Sequence, residues 1–478
     1  MPSTQMMRRL ARIGLSAALL WTGNAIAQSD EPSLRERELE QLVRELSLRV
    51  AELEKRVESL APLKSATEIE SGETDCEAVG PTGEVTPEEF ASLREKVQKL
   101  TAPTSFRAYW NDGLRLDSFD GSFKLRIGGR IHFDWAFYAA DGDIEGTVGS
   151  LDDGTEFRRA RIYMSGQIYD NVDFKVEYDF AGGDSDFTDV YMGVSDLPVV
   201  GNIRIGHFKE PFSLEKMTSG NDLTFQERGL HTVFSPVRNS GIMVFDTMLE
   251  DRLSWAVGFF RDTDDFGDGS IGRDYNVTTR ITGVPWYEDQ GRKLLHLGLA
   301  YSHQNYEDDM VRFRERPESH QAPRFVDTMN FPAEYGDFLG GEIAFVYGPF
   351  SLQGEYIQAW VESRRGPDPA FWGTSVQAGY VLTGEHRSYN LKNAAFAEIK
   401  PRRPYGNDGG WGAWEVAARY SHLDLNNANI KGGELRDLTF GLNWYLNNNM
   451  RIMWNYVRAD LVRGGDANIY QMRFQIAF

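Results

Sequence analysis

At 478 residues, with 51 Lys+Arg against 71 Asp+Glu and a formal charge of −20, the chain is long enough for two or three ordinary domains and too acidic to present a nucleic-acid surface. A mean hydropathy of −0.45 and the lack of any long apolar run after residue 27 exclude helical membrane spans. Strands that cross a membrane stay open, since each needs only every second residue apolar, and 13% aromatics with 47 glycines favour an all-β chain.

The first 27 residues have the three parts of a secretory signal. Arg8, Arg9 and Arg12 form the positive end, "IGLSAALLW" the apolar stretch, and Ala25–Ala27 the small-residue cleavage site. Residues 28–104 follow as a second segment, with 10 bases and 18 acids. Within it Val43, Val50 and Val57 alternate with Leu39, Leu46, Leu53 and Leu60 at spacings of three and four, the seam of an α-helical coiled coil. A single amphipathic helix packed on a domain would show the same stripe. A linker over 62–86 holds Cys76, the one cysteine, so no internal disulfide can form. Thr86 as N-cap, Pro87 in the first turn and Glu89 then predict a second helix, which Pro103 ends.

From about Gly121 the texture becomes two-residue alternation. In "FKLRIGGRIHFDW", Phe123, Leu125, Ile127, Ile131, Phe133 and Trp135 share one face, and Lys124, Arg126, Arg130, His132 and Asp134 the other. "VDFKVEYDF" and "DLTFGLNWYL" repeat the pattern, as does the terminal "YQMRFQIAF". A soluble sandwich would turn the apolar faces together. An outer-membrane barrel would turn them to lipid and line a watery lumen with the polar faces. Four features select the barrel: the signal, aromatics near strand ends (Trp135, Trp255, Trp414, Trp444, Trp454, Tyr456), short turns alternating with long loops, and a last strand that closes the sheet. The expected fold is therefore all-β, a transmembrane antiparallel β-barrel of about sixteen strands over 105–478, preceded by a coiled coil. An even strand number puts both ends on the periplasmic side, with the coiled coil below.

No catalytic arrangement is present. The eight histidines are scattered, and no HExxH, GxSxG or metal-spaced Cys/His motif occurs, so neither enzyme nor cofactor is expected. The polar faces carry the signal instead. Strand one turns Lys124, Arg126 and Arg130 inward, and its neighbour "EFRRARIYMSG" turns Arg159 and Arg161 inward, with Arg158 at the extracellular end, free to swing into the mouth. A guanidinium donates two parallel hydrogen bonds and so suits phosphate and carboxylate. The same arginines can equally pair with Asp134, Asp173 or Glu177 across the lumen. Two long loops, roughly 209–238 and 304–338, carry further bases among acids and are placed to narrow the pore.

The stretches "FRRARIYMSGQIYDNVDFKVEYDF", "IRIGHFKEPFSLE", "GEHRSYN", "WGAWEVAARYSHLDL" and "GLNWYLNNNMRIMWNY", with terminal Phe478, resemble the phosphate-selective porin O/P family over essentially the whole barrel. The resemblance implies a sixteen-stranded, trimeric outer-membrane porin with loops folded into the lumen, whose pore arginines and lysines bind and pass anions. By motif it assigns that role to Arg158 and Arg159 of "FRRAR" and to Lys209 of "FKEPF". The chain departs from a plainly basic pore, with 38 bases and 53 acids over 105–478. Selectivity follows the field at the constriction and not total charge, so passive diffusion of phosphate or similar anions is the expected function. A general, carboxylate or sugar pore and a coiled-coil tether from outer membrane to cell wall are the alternatives. Expected partners are outer-membrane lipid, small anions, two further copies in a homotrimer, and the cell wall, with no nucleic acid and no metal.

Overall fold

The computed structural model describes residues 105–478 except 184, 270–274, 307–309 and 407–408. The signal, heptads, linker and helix expected over 1–104 lie outside the described residues. Sixteen strands form one closed antiparallel barrel: β1 (Phe123–Ala140), β2 (Gly154–Ile168), β3 (Val172–Asp179), β4 (Asp186–Leu197), β5 (Gly201–Lys209), β6 (Arg238–Met248), β7 (Leu253–Arg261), β8 (Asn276–Glu288), β9 (Lys293–Asn305), β10 (Phe331–Tyr347), β11 (Phe350–Ser363), β12 (Ala370–Val381), β13 (Ala413–Asn427), β14 (Ile430–Tyr445), β15 (Met450–Leu461) and β16 (Gly465–Ala477). Each pairs with its chain neighbour, and β16 returns to β1 from Ala467↔Ala140 to Ala477↔Arg130. Closure pairs the first and last strands of the wall, so that neither is left as an edge along the seam. The last residue completes the seam, where Gly129 and Phe478 exchange backbone bonds of 2.7 and 2.9 Å.

Below that seam β1 runs on past the end of β16. A small hairpin (Phe106–Trp110 with Leu114–Ser118) covers the uncovered edge, from Leu114↔Ile127 to Asp117↔Lys124. Its turn requires Gly113 at φ +115, where a Cβ would stand 2.7 Å from the Ile127 carbonyl. Gly128 allows a close approach of another kind: a Cβ there would meet the Phe478 carbonyl at 2.3 Å and the Tyr163 hydroxyl at 2.5 Å.

The alternation sorts as an inverted protein. Ile281 and Leu299, cross-strand partners in mid-barrel, are 50% and 52% exposed on the outside. Inward-facing Arg419 and Arg473 are 1% and 0% exposed. An apolar exterior around a charged interior is what a hydrocarbon surround selects. Aromatics gather outside near the end where β1 starts and β16 finishes, the terminal end of the wall, where Trp414 stacks on Trp444 at 5.1 Å and on Trp454 at 6.5 Å.

Most turns at that terminal end are tight, as at 169–171, 348–349 and 446–449. One is not. The connection 382–412 folds back as a small hairpin (Tyr389–Asn390 with Ala395–Phe396) against the inner wall. At the far end, connections 210–237 and 306–330 also turn inward. Phe212, Leu230, Phe234, Phe313, Phe325 and Val326 from these two segments meet inward-facing Phe338, Val361, Phe371, Leu423, Leu435 and Ile469 in one buried cluster. Each such side chain contributes roughly 1.5–3 kcal/mol on burial. The upper lumen is therefore an oily core that holds the two connections, and the charged lumen lies beneath it.

Candidate functional site

The β1–β2 wall carries the first group of cations. Arg130 stands opposite Arg161, and His132 opposite Arg159. The ladder then shifts between His132 and Phe133, whose partner is Phe157. That bulge leaves one extra residue, Arg158, so two consecutive arginines both reach the inside. Arg158 is thus fixed and not free at the mouth: it donates to Glu227 of the inserted connection at 2.9 Å. Arg159 donates to His132 Nδ1 at 3.2 Å, which leaves His132 Nε2–H for Asn221 Oδ1 at 3.1 Å.

The acids on β3 and β4 take part of this charge. Glu177 receives Arg130 and Arg161, both at 3.1 Å, and Lys175 at 2.8 Å. Asp179 receives Arg161 at 2.7 Å, and Asp189 receives Lys175 and Arg238, each at 2.7 Å. Cross-lumen pairing therefore accounts for Arg130, Arg158 and Arg161. It does not account for Arg126, which donates to the Asp112 carbonyl and lies over the Tyr163 ring. Nor does it account for Lys209, whose ammonium donates to the Lys216 carbonyl at 2.5 Å. Asp134 belongs instead to Arg473, at 2.6 Å.

The inserted connection 210–237 supplies the second group. It crosses the lumen on backbone carbonyls: Arg451 donates to that of Leu223, Asn443 to that of Thr224, Arg473 to that of Gln226 and Gln475 to that of Asn221. A short helical turn, Leu214–Met217, starts at Ser213, whose hydroxyl accepts from the Lys216 amide. Lys216 and Arg228 leave this segment without a carboxylate bond; Arg228 donates only to the carbonyls of Glu215 and Thr218, both at 3.0 Å. Burial, then repulsion from Arg228, brings the Lys216 ammonium down to about 8. Burial pushes Asp222 up to about 6. Burial alone would raise Glu227 as well, but Arg158 and Arg473 hold it well below the usual carboxylate range.

These groups surround an open cavity of about 700 Å³, lined by fourteen lysines and arginines and six aspartates and glutamates. The lining reverses the sign of the chain as a whole. Arg126, Arg130, Arg159, Arg161 and Lys209 are in it. Lys124 and Arg158, grouped with them from the sequence, are not. Lys124 sits at the terminal rim bonded to Gln167 at 3.1 Å, and Arg158 is turned aside by Glu227. The lining also holds Lys216 and Arg228, and Arg387 and Lys392 of the 382–412 connection. Lys216 and Arg228 belong to the long loop expected from the sequence to narrow the pore, whereas no periodicity in 382–412 marks Arg387 or Lys392 as inward, and only the folded chain brings those two in.

Lys216 gives the site a pH dependence. An ammonium titrating near 8 is charged at neutrality and neutral two units higher, so the cavity should lose one positive charge, and any preference for anions should fall by about twofold, between roughly pH 7 and pH 9. Asp222 is already ionised across that window and adds nothing to the change. Lys216→Arg stays charged and should flatten the profile; planar-bilayer reversal potentials against pH check both.

A family model described as phosphate-selective porin O and P matches residues 125–478. Porin O of Pseudomonas aeruginosa is 27% identical over 390 residues, covering 73% of this chain and 85% of that protein. An uncharacterized protein of Caulobacter vibrioides is 28% identical over 403 residues, covering 79% of this chain and 78% of that one. Among solved structures, the anion-selective porin from Comamonas acidovorans superposes with a TM-score of 0.47 at 14% identity, over 74% of this chain and 100% of that chain.

Proposed function

Since the chain belongs to the phosphate-selective porin O and P family, and is on that ground an outer-membrane porin, we propose that its lumen passes anions in preference to cations, with phosphate or a similar oxyanion as solute. The observation that supports this is the reversal of sign inside the barrel: fourteen bases to six acids around the cavity, in a chain of charge −20. A narrow low-dielectric passage responds to the charges that line it, since the exterior is screened within about a Debye length. Arg126, Arg159 and Lys209 carry the preference, with Lys216 and Arg228 beside them, while Arg130 and Arg161 line the cavity with their charge shared by Glu177 and Asp179. Those that donate only to carbonyls or to an imidazole have no counter-ion to give up when an anion arrives. An oxyanion would exchange water for charge-assisted hydrogen bonds from several of them in turn.

In this reading residues 1–27 are the signal, 28–104 a periplasmic coiled coil with its linker, and 105–478 the barrel, which assembles as a homotrimer. The terminal end then faces the periplasm. Reversal potentials in a potassium chloride gradient test the selectivity. A potential of the cation-permeable sign sinks it, and phosphate that leaves chloride current unchanged sinks the oxyanion part alone. The lipid-facing assignment has its own check. Leu299→Arg, in mid-barrel on the outer face, should cost about 2–4 kcal/mol in reversible unfolding from lipid vesicles, whereas a solvated surface would tolerate it.

A further inference from the structure

Glu215 and His231 stand towards the two ends of the inserted connection 210–237, and Glu355 faces them from β11. All three are buried. His231 Nε2 lies 3.8 Å from Glu215 Oε2 and 3.6 Å from Glu355 Oε2, and the three ligand atoms fall within 4.8 Å of one another. Neither ring nitrogen of His231 has a hydrogen-bond partner. A fully buried imidazole with nothing to bond is rare and costly.

The separations are informative. A hydrogen bond would draw nitrogen and oxygen to about 2.7–3.2 Å. Two ligands on one tetrahedral zinc, with bonds of about 2.0–2.2 Å, sit about 3.3–3.6 Å apart. The two nitrogen–oxygen edges are thus within a few tenths of an ångström of a shared small cation. The carboxylates are also held in place. Glu215 Oε1 accepts from Arg419 at 3.1 Å, and Glu215 Oε2 from the Gly229 amide at 3.0 Å. Glu355 Oε1 accepts from the Glu215 amide at 2.8 Å and from Gln353 at 2.9 Å, and Glu355 Oε2 from the Ser213 hydroxyl at 2.6 Å. Each Oε2 keeps a lone pair beyond the bond it accepts, and the partners of both carboxylates orient them as outer-shell groups orient metal ligands.

We propose that His231 Nε2, Glu215 Oε2 and Glu355 Oε2 bind one divalent transition-metal ion of the zinc class, pinning both ends of the inserted connection to the barrel wall. One imidazole with two carboxylates matches zinc and its neighbours, and a fourth position is left for water. Calcium and magnesium take oxygen ligands and would leave the imidazole unused. A dication would offset both carboxylates; Arg419, the guanidinium that bonds Glu215 Oε1, is shared with Glu318 and cannot do so. The competing arrangement is an imidazolium clasped by the two acids, and it binds no metal.

The test uses the full-length chain folded in detergent, stripped with chelator, then dialysed against zinc alone and analysed for metal. One zinc per chain is expected, with at least about a tenfold loss of retention in His231→Gln and in Glu355→Gln. Cobalt(II) in place of zinc should give the visible absorption of a four- or five-coordinate site, and zinc X-ray absorption of the wild type should count a single imidazole. That wild-type measurement decides the matter even where a variant fails to fold. Wild-type protein that keeps no zinc, zinc with no imidazole bound, or equal retention in a folded His231→Gln would each overturn the proposal.

Discussion

Replacing Arg159, Lys216 and Arg228 together by glutamate should remove most of the anion preference of the channel. Three cations become three anions, a change of six charges on one cavity, and the lining then no longer favours anions decisively over the acids already present. The three are chosen because none holds up a partner carboxylate. Arg159 rests on His132, and Arg228 on two carbonyls, so the substitutions leave the ion pairs at Glu177, Asp179 and Asp189 in place. The anion-to-cation permeability ratio should fall by on the order of ten- to a hundredfold. By contrast, Arg158→Ala should change that ratio little, since its charge is already met by Glu227. Reversal potentials of the two variants under one salt gradient separate the outcomes. A triple variant as anion-selective as the wild type would remove these side chains from the path of the ion.

Arg419→Ala should be the most damaging single substitution in stability. This guanidinium is almost wholly buried on β13 and takes hold of both far-end connections at once. It reaches Glu215 and the Glu227 carbonyl of the first at 3.1 and 2.9 Å, and Glu318 of the second at 2.5 Å. Phe225 lies under its face, 4.5 Å from ring centre to guanidinium carbon. Without it two carboxylates remain in the dry lumen with hydroxyl and amide donors only, at a cost of about 3–5 kcal/mol. The midpoint of urea unfolding in vesicles reads that loss. Removing Glu318 as well should return part of it, because one stranded charge goes with the partner. Conductance adds an independent readout, since a lumen whose two inserted segments have lost their common anchor should carry larger and noisier current.

The barrel was legible in the chain because its rule is local. Its strands follow a period of two apart from their bulges, and the alternation of "YQMRFQIAF" reads as a strand that closes the sheet, as its ladder with β1 does. The bulge beside Arg158 was legible in principle too. Ala160, Ile162 and Met164 face outward at even numbers, while Phe157, 57% exposed, faces outward at an odd one; an extra residue must fall between them. Other parts were out of reach. Inward leucines such as Leu423 and Leu435 look like any strand residues, and only contact with the inserted connections shows the upper lumen to be apolar. The connection 382–412 has no period, and nothing in its composition tells that Arg387 bonds Gln353 at 2.8 Å inside the wall. Pairing of Asp134 with Arg473, 339 positions away, depends on closure and on no local pattern.

The way the 210–237 segment is held has a bearing on assembly. Several of its anchors come from strands far downstream: Gln226 bonds Met453, and Glu227 bonds Arg473, partners 227 and 246 positions further on. Contacts of such separation form slowly, because a long loop of chain must be closed before they give anything back. The segment also has earlier partners in His132, Arg158 and Glu355, but its hold is complete only when the C-terminal third of the wall is in place. Full fitting of the bore should therefore come no earlier than closure of the wall, since Arg473, on the closing strand β16, is one of its fixings.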